Sequence, residues 1–330
     1  MAKELTGLQV LALDTYRKSP KNYSVMDAND AIREAVREAC GGEWNYYKFK
    51  ENEYKVYAII AETMPVALNA SLANKFGDFA DFKDTAMGDE NHFIVEDNTI
   101  YPIYTSARGN GDVERQKISQ RAFSVPTVAK SIKFYDEWDR FMAGKIDFTT
   151  MTDRAMVSYL HYVGQLISDT IYASYSSVGT AFKTTGAFDA DALDNIIENV
   201  KAATGADRLQ IWGSTSALGN ISDGFGYSDS AKDRANNLGY YGGFRGTDMF
   251  ALPQAYVPQT TDFVVNRSHV IVLPANEKIV KVAFEGTPVV GAETSPMARN
   301  DMQIEFLYSR RVGAAAITVP SGLYGFYIFS

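Results

Sequence analysis

The apolar positions of this chain are most regular between Thr150 and Ser177, where they recur every three or four residues. This spacing predicts a helix with one apolar stripe. The stripe consists of Met156, Leu160, Val163, Ile167 and Ile171. Thr150 followed three residues later by Asp153 resembles a capping box, which is typical of a helix start. The segment therefore predicts a helix of about 40 Å whose stripe forms part of a core.

The segment from Asp97 to Arg121 is mostly polar and lacks the regular apolar spacing of this helix. Two runs that favour extended structure, around 100–104 and 115–119, flank the segment Arg108–Asp112. The Asn110-Gly111 pair favours a tight hairpin turn, because both central residues of a type I′ turn need positive φ. A hairpin with so few apolar residues needs another surface to lie on. That surface is either the rest of the chain or a neighbouring copy.

The segments before this polar segment show weaker patterns. Asp27 or Asn29 can cap a short helix that ends before Gly41-Gly42. In the following segment, 44–60, the alternation of Tyr54, Val56 and Ala58 predicts a strand, and Pro65 is expected to end the run.

The second half of the chain favours a small α/β unit. Asp189 can cap a helix that ends at Gly205, and a strand is predicted at Leu209–Trp212. The Gly-, Asp- and Tyr-rich segment Ser222–Gly246 is interpreted as a long loop. Short strands are predicted at 263–265, 270–273, 279–284 and 303–308, and an apolar end, 314–319 with 323–329, is expected to be held in a sheet. The fold class is therefore α+β.

Composition and charge exclude several classes of protein. The 330 residues include one cysteine, Cys40, so a disulfide within the chain is excluded, and this fits a reducing compartment. No run of about 18 apolar residues indicates a membrane span, and the first residues lack the apolar core of a signal peptide. The net charge of −8 disfavours a protein that coats nucleic acid, although it permits one that encloses it.

Candidate chemistry is sparse. His92, His161 and His269 lie far apart, and their spacing resembles no zinc site. Gly213–Ala217 lacks the final glycine of a nucleophile elbow, and no phosphate-binding loop or dinucleotide fingerprint occurs. We therefore expect no catalytic residue, cofactor or metal. A pair of carboxylates that meet only in space stays open, because sequence spacing does not reveal it.

The order of these parts resembles the HK97-like major capsid proteins of tailed bacteriophages. The segments that carry the resemblance are Phe134–Asp147 running into Thr150–Ser177, Asp191–Gly205, Leu209–Ser214, Phe250–Pro258, Val289–Glu293 and Arg310–Gly313. The resemblance covers most of the chain from about Asp27 and rests on architecture rather than on one motif.

The resemblance implies a division of the chain. Its parts are an N-terminal arm with a short helix (1–75), an extended β-hairpin loop with its flanks (76–122), a peripheral domain with a long spine helix (123–186), an axial α/β domain (187–276), returning peripheral strands (277–312) and a closing axial strand (313–330). The loop would lie across an adjacent subunit. Its contact residues would be Arg108, Gly109, Asn110, Gly111, Asp112, Arg115 and Lys117.

The implied function is a shell of pentamers and hexamers around phage double-stranded DNA, without sequence-specific binding and without a membrane. The protein would be a virion component assembled in the host cytoplasm, with a portal and a separate scaffolding protein as partners. Some relatives cross-link a loop lysine to an asparagine, for which Lys117 and Asn300 are the rough candidates; we expect no such bond here. The alternatives are an encapsulin-like nanocompartment around cargo enzymes and, in another class, a soluble hydrolase.

Overall fold

A computed structural model describes residues 34–35, 37–39, 41–42, 46–78, 80–96, 103–105, 115, 120–137, 148–222, 229–275, 277–291, 303–318 and 323–330. Residues 34–35 and 37–39 are helical, in the segment where the sequence predicts a short helix. The α-helices after them are α1 (Tyr46–Phe76), α2 (Phe148–Ser174), α3 (Ala190–Thr204), α4 (Thr215–Gly219) and α5 (Asp229–Leu238). The first strands are β1 (Ala80–Thr85), β2 (His92–Glu96), β3 (Gln120–Ser124), β4 (Val128–Glu137), β5 (Lys183–Gly186) and β6 (Leu209–Gly213). The later strands are β7 (Gly243–Phe244), β8 (Thr247–Ala251), β9 (His269–Pro274), β10 (Val280–Gly291), β11 (Gln303–Ala316) and β12 (Gly325–Phe329).

Two larger sheets and one hairpin organise these strands. The four-stranded sheet has the order β1-β10-β11-β4, and the six-stranded sheet has the order β5-β12-β9-β6-β8-β7. In the four-stranded sheet β1 runs parallel to β10, and the other pairs are antiparallel. The register between β10 and β11 shifts between Glu285 and Val289. The remaining pair, β2 with β3, forms a separate two-stranded ladder.

The segment predicted as a strand around Tyr54 is instead part of α1, so that prediction is wrong. The buried side chains Tyr57, Leu68, Leu72 and Phe76 recur at helical intervals, which outweigh the short alternation. Pro65 lies inside this helix instead of ending it. A proline costs the helix one backbone hydrogen bond, and burial of the apolar face on the core offsets that loss.

The core between the sheets is built around α2, which extends over most of the predicted span. All five residues of the predicted stripe are buried. They pack in one cluster with α1, with the helix-facing side of the four-stranded sheet and with Trp212, Ile271 and Phe326 of the six-stranded sheet. At the crossing with α1, a Cβ on Gly164 would lie 2.9 Å from Cζ of Phe76, so the two helices approach closely. The helix α2 thereby links both sheets.

The contribution of the buried face of α2 to stability can be tested with the same substitution, valine to alanine, at two positions of the helix. Val163 is fully buried, whereas Val157 is 45% exposed. We expect Val163→Ala to lower the free energy of unfolding by about 2–3 kcal/mol, since it removes two buried methyl groups and leaves a cavity. Val157→Ala should change it by less than about 0.5 kcal/mol. Chemical denaturation of both variants measures the difference, and equal losses would contradict the assignment of the buried face.

The six-stranded sheet carries α3 and α4 on its other face. Asp189 caps α3 by accepting a hydrogen bond from the Asp191 N–H, and Gly205 ends the helix at φ 66°. Leu193, Ile196 and Val200 pack on Ile211, Val272 and Tyr327 of the sheet. These caps and this buried face agree with the helix predicted from the sequence.

Other expectations need correction. The predicted loop Ser222–Gly246 contains α5 and β7. Ala, Lys and Arg residues favour the helix despite the flanking glycines, and Asp229 lies in its first turn, where a negative charge is favourable. The predicted strand at 263–265 is limited to one bridge between Tyr256 and Phe263. The short segment between α2 and α3 also contributes a strand, since Lys183–Gly186 forms β5 of the six-stranded sheet.

The expected domain boundaries also shift. Residues 313–316 continue β11 in the four-stranded sheet, so the closing strand of the other sheet is β12 alone. Consequently Arg310–Gly313 lies in mid-strand and is not a crossing between domains. Residues 80–85, grouped with the loop flanks, form β1 of the four-stranded sheet. Long-range register, which local apolar content does not reveal, decides each of these assignments.

Candidate functional site at the base of the extended loop

The two ends of the polar segment are held by a defined pair of strands. Strands β2 and β3 pair antiparallel from His92 opposite Ser124 to Glu96 opposite Gln120. Phe93 and Phe123 face each other in this ladder with ring centroids 5.9 Å apart. The ladder therefore brings positions 96 and 120, which flank residues 97–119 in the sequence, side by side. We call the ladder and its two adjoining turns, 86–91 and 125–127, the loop base.

An apolar contact seats the loop base on the outer face of the four-stranded sheet, opposite α2. Phe93 and Val125, with Phe123 beside them, pack on Ala283 and Ala315. Ala283 and Ala315 have small side chains, which leave room for the two phenylalanine rings. The residues that flank the polar segment on both sides therefore rest on the sheet of their own chain.

Gly313 allows the backbone of the loop base to approach the sheet. Gly313 is a residue of β11 and pairs with Ala283 of β10. A Cβ at this position would overlap the carbonyl oxygen of Pro126 and lie 3.2 Å from Cγ1 of Val125. Glycine in a strand often marks such a close backbone approach. The turn 125–127 can occupy its position only because residue 313 has no side chain.

Two lysines lie beside the ring of Phe93 in this apolar contact. Lys83 donates a hydrogen bond from Nζ to the carbonyl oxygen of His92 at 2.8 Å. The Nζ atoms of Lys83 and Lys281 lie 5.5 and 5.9 Å from the ring centroid of Phe93. Cation–π contacts of this kind add to the apolar contact.

A carboxylate joins both turns of the loop base to the sheet. Glu285 accepts hydrogen bonds from the hydroxyl of Thr127, from the N–H of Gly88 at 3.1 Å and from Nε of Arg311 at 3.0 Å. The Thr127 hydroxyl, the Gly88 N–H and the Arg311 guanidinium lower the pKa of Glu285 below its ordinary value. Arg311 in turn donates from Nη2 to the carbonyl oxygen of Thr127 at 3.0 Å.

The predicted contact residues of the loop are mostly outside the described residues. Arg108, Gly109, Asn110, Gly111, Asp112 and Lys117 lie there, as do Cys40 and Asn300. Arg115 is exposed, and so are Ile103 and Tyr104. Residues 103–105 are not in a strand, so the ladder lies outside the two runs for which extended structure was predicted. Local sequence patterns did not point to Glu285, Arg311 or Gly313, the sheet residues that contact the loop base.

Other candidate chemistry stays dispersed among the described residues. His269 contacts Tyr172 with ring centroids 4.7 Å apart, and burial lowers its pKa. A polar cleft of about 560 Å³ at one end of the six-stranded sheet includes Glu277, Asp207 and Asp248. Burial raises the pKa of Glu277, whereas Asp207 and Asp248 are exposed. The cleft therefore combines one partly buried carboxyl group with two exposed ones.

The described part of the chain contains no cluster of three or more histidine, cysteine or acidic side chains that could hold a metal ion. None of its helices combines the length and apolar character needed to cross a membrane.

Comparison with known proteins relates this architecture to viral shells. The family described as "SPbeta prophage-derived putative capsid protein YonB" matches residues 7–313. No curated protein matches the sequence at a significant level.

Solved capsid structures share the fold at low sequence identity. The mature capsid of bacteriophage PhiM1 matches with a TM-score of 0.54 and 10% identity, covering 77% of this chain and 86% of that one. The capsid of the native GTA particle matches with a TM-score of 0.53 and 12% identity over 78% and 90% of the two chains. The procapsid of satellite phage P4 matches with a TM-score of 0.51 and 10% identity over 80% and 90%. The chain thus has the HK97-like fold of phage major capsid proteins, and it belongs to the YonB family of prophage-derived capsid proteins.

Proposed function

We propose that many copies of this chain assemble into a closed icosahedral shell of pentamers and hexamers that encloses phage double-stranded DNA. The shell is a virion component that forms in the host cytoplasm. Family membership and the capsid fold support this role.

The observation that carries the proposal is the loop base. The polar segment 97–119 connects β2 and β3 in the sequence, and the ladder of these two strands rests on the four-stranded sheet. Such a segment gains stability when its backbone and side chains dock on a neighbouring copy. A closed symmetry repeats this contact at every subunit, and the repetition gives an avidity that one weak contact lacks.

The charge of the chain bears on its cargo. With a net charge of −8, the protein is unsuited to neutralising many phosphates. The shell therefore encloses DNA without sequence-specific contacts, and entry of the DNA and control of shell size fall to a portal and a separate scaffolding protein.

Family membership favours a phage shell over an encapsulin-like compartment and over a hydrolase.

Glycines at the loop tip test the docking step. The double variant Gly109→Val/Gly111→Val disfavours positive φ at the predicted turn. We expect an unchanged circular dichroism spectrum and a shell yield at least tenfold below wild type, counted by negative-stain electron microscopy. Gly291→Val is the control, because a Cβ at position 291 of β10 would meet no atom within 4 Å. A wild-type yield from the double variant would remove the tip from the assembly contact.

A further inference from the structure

Glu285 occupies the position at which the four-stranded sheet is interrupted. It is paired with Arg311 in the last regular step before the register of β10 shifts. Gly286 follows at φ 73°, and a Cβ there would lie 3.4 Å from Cβ of Met87. The irregular segment of β10 therefore lies directly against the turn that leads into β2. Bulges are common where a sheet must redirect its side chains.

The donors to Glu285 come from segments that are far apart in sequence. Gly88 belongs to the turn before β2, Thr127 to the turn after β3, and Arg311 to the sheet. Arg311 repeats the connection by donating to the carbonyl oxygen of Thr127. One carboxylate thus holds the outgoing and the returning end of the loop at the same place on the sheet.

The apolar contact of the loop base with Ala283 and Ala315 does not by itself define the direction of the loop. Burial of apolar surface is non-directional, and the seat on Ala283 and Ala315 is small. Hydrogen bonds are directional, and those that involve a charged group are stronger than neutral ones. The Arg311 side chain is 42% exposed and the Glu285 side chain 14% exposed, so solvent partly screens this ion pair and its contribution to global stability is modest. These contacts are better suited to setting a geometry than to holding the fold.

We infer that Glu285 is the positioning residue that fixes the direction in which the extended loop leaves the four-stranded sheet. Without its three hydrogen bonds the ladder still rests on Ala283 and Ala315 and keeps the bonds from Lys83 to His92 and from Arg311 to Thr127, but no single group of the sheet then joins both turns. The consequence for assembly rests on the proposed function, since a loop with an undefined direction does not reach a neighbouring copy in one orientation.

Hydrogen–deuterium exchange of the unassembled full-length protein, followed by an assembly assay, tests this role. In Glu285→Ala we expect exchange to accelerate at least tenfold in peptides that cover 86–96 and 120–127. Peptides from α3 and β12 should exchange as in wild type, and shell yield should fall at least tenfold. Glu285→Gln should lie between Glu285→Ala and wild type in both measurements, because the amide oxygen still accepts a hydrogen bond at the same distance from the backbone.

Glu198→Ala is the matched control. Glu198 is exposed on α3, and its replacement removes the same charge away from the loop base. It should leave both measurements unchanged. Wild-type exchange at the loop base of Glu285→Ala would overturn the positioning role, and so would faster exchange combined with a wild-type shell yield. If the wild-type protein forms no shells, the proposed function fails, and the exchange comparison alone still decides whether Glu285 positions the loop base.

Discussion

Replacing Asp84 with alanine is expected to lower the free energy of unfolding by about 3 kcal/mol. Asp84 accepts a hydrogen bond from Nη2 of Arg310 at 2.6 Å, and the Arg310 side chain is only 4% exposed. The guanidinium also lies 4.2 Å from the ring centroid of Phe284. Removal of the carboxylate leaves a buried, unpaired charge, which typically costs ~3–5 kcal/mol. The lower end applies because Asp84 is 53% exposed and water can enter in its place.

The reverse change should cost less, and this asymmetry is the test. In Arg310→Met the half-exposed Asp84 stays hydrated and keeps its hydrogen bond from Asn69 at 2.6 Å. We expect a loss of about 1 kcal/mol for Arg310→Met, and a smaller loss for the double variant than for Asp84→Ala alone. Asp229→Ala breaks an exposed ion pair with Lys232 and should cost less than about 1 kcal/mol. Urea denaturation measures all four variants, and equal losses for Asp84→Ala and Arg310→Met would contradict burial of the Arg310 charge.

Replacing Gly313 with alanine should abolish assembly while most of the protomer folds. The new Cβ would overlap the Pro126 carbonyl oxygen, which is backbone and cannot rotate away as a side chain could. The turn 125–127 must then rise from the sheet, and Thr127 loses its contact with Glu285. We expect at least a tenfold loss of shell yield by electron microscopy and faster amide exchange at 120–127.

Gly291→Ala provides the comparison for Gly313→Ala, because it adds the same methyl group to the same sheet where no atom lies within 4 Å. Its shell yield should equal that of wild type. Thermal unfolding by circular dichroism confirms that both variants fold. A Gly313→Ala protein that assembles like Gly291→Ala would show that the close contact at Pro126 is not needed for the shell.

Local signals made part of this fold predictable. The helix α3 is evident from the cap at Asp189, the left-handed Gly205 and the apolar face between them. The stripe of α2 follows from regular spacing, and its buried side chains occupy the expected face. In both cases the information lies within one element, so tertiary contacts do not alter it.

Features that depend on distant contacts were not predictable. Pro65 and the alternation near Tyr54 obscure α1, whose helical face is defined by packing on α2 and the sheet. Residues 314–316 look like the start of an apolar C-terminal strand, yet they pair with 280–282.

The loop base is the clearest case of this limit. Its two stretches, 86–96 and 120–127, meet residues 281–285 and 311–315 of the sheet, and only the register of the sheet brings these distant segments together. The run Gly313–Ala316 was the one available sign, because small residues in a strand indicate that another segment approaches closely.

The central claim is that this capsid protein forms closed shells through its extended loop. Sedimentation velocity of the purified full-length protein, with negative-stain microscopy of each fraction, tests it most directly. We predict uniform closed particles that sediment far faster than the 36.5 kDa chain, and strong protection of residues 97–119 from amide exchange in the particles but not in free subunits. A protein that stays at 36.5 kDa under all assembly conditions, with residues 97–119 already protected in the monomer, would contradict the account.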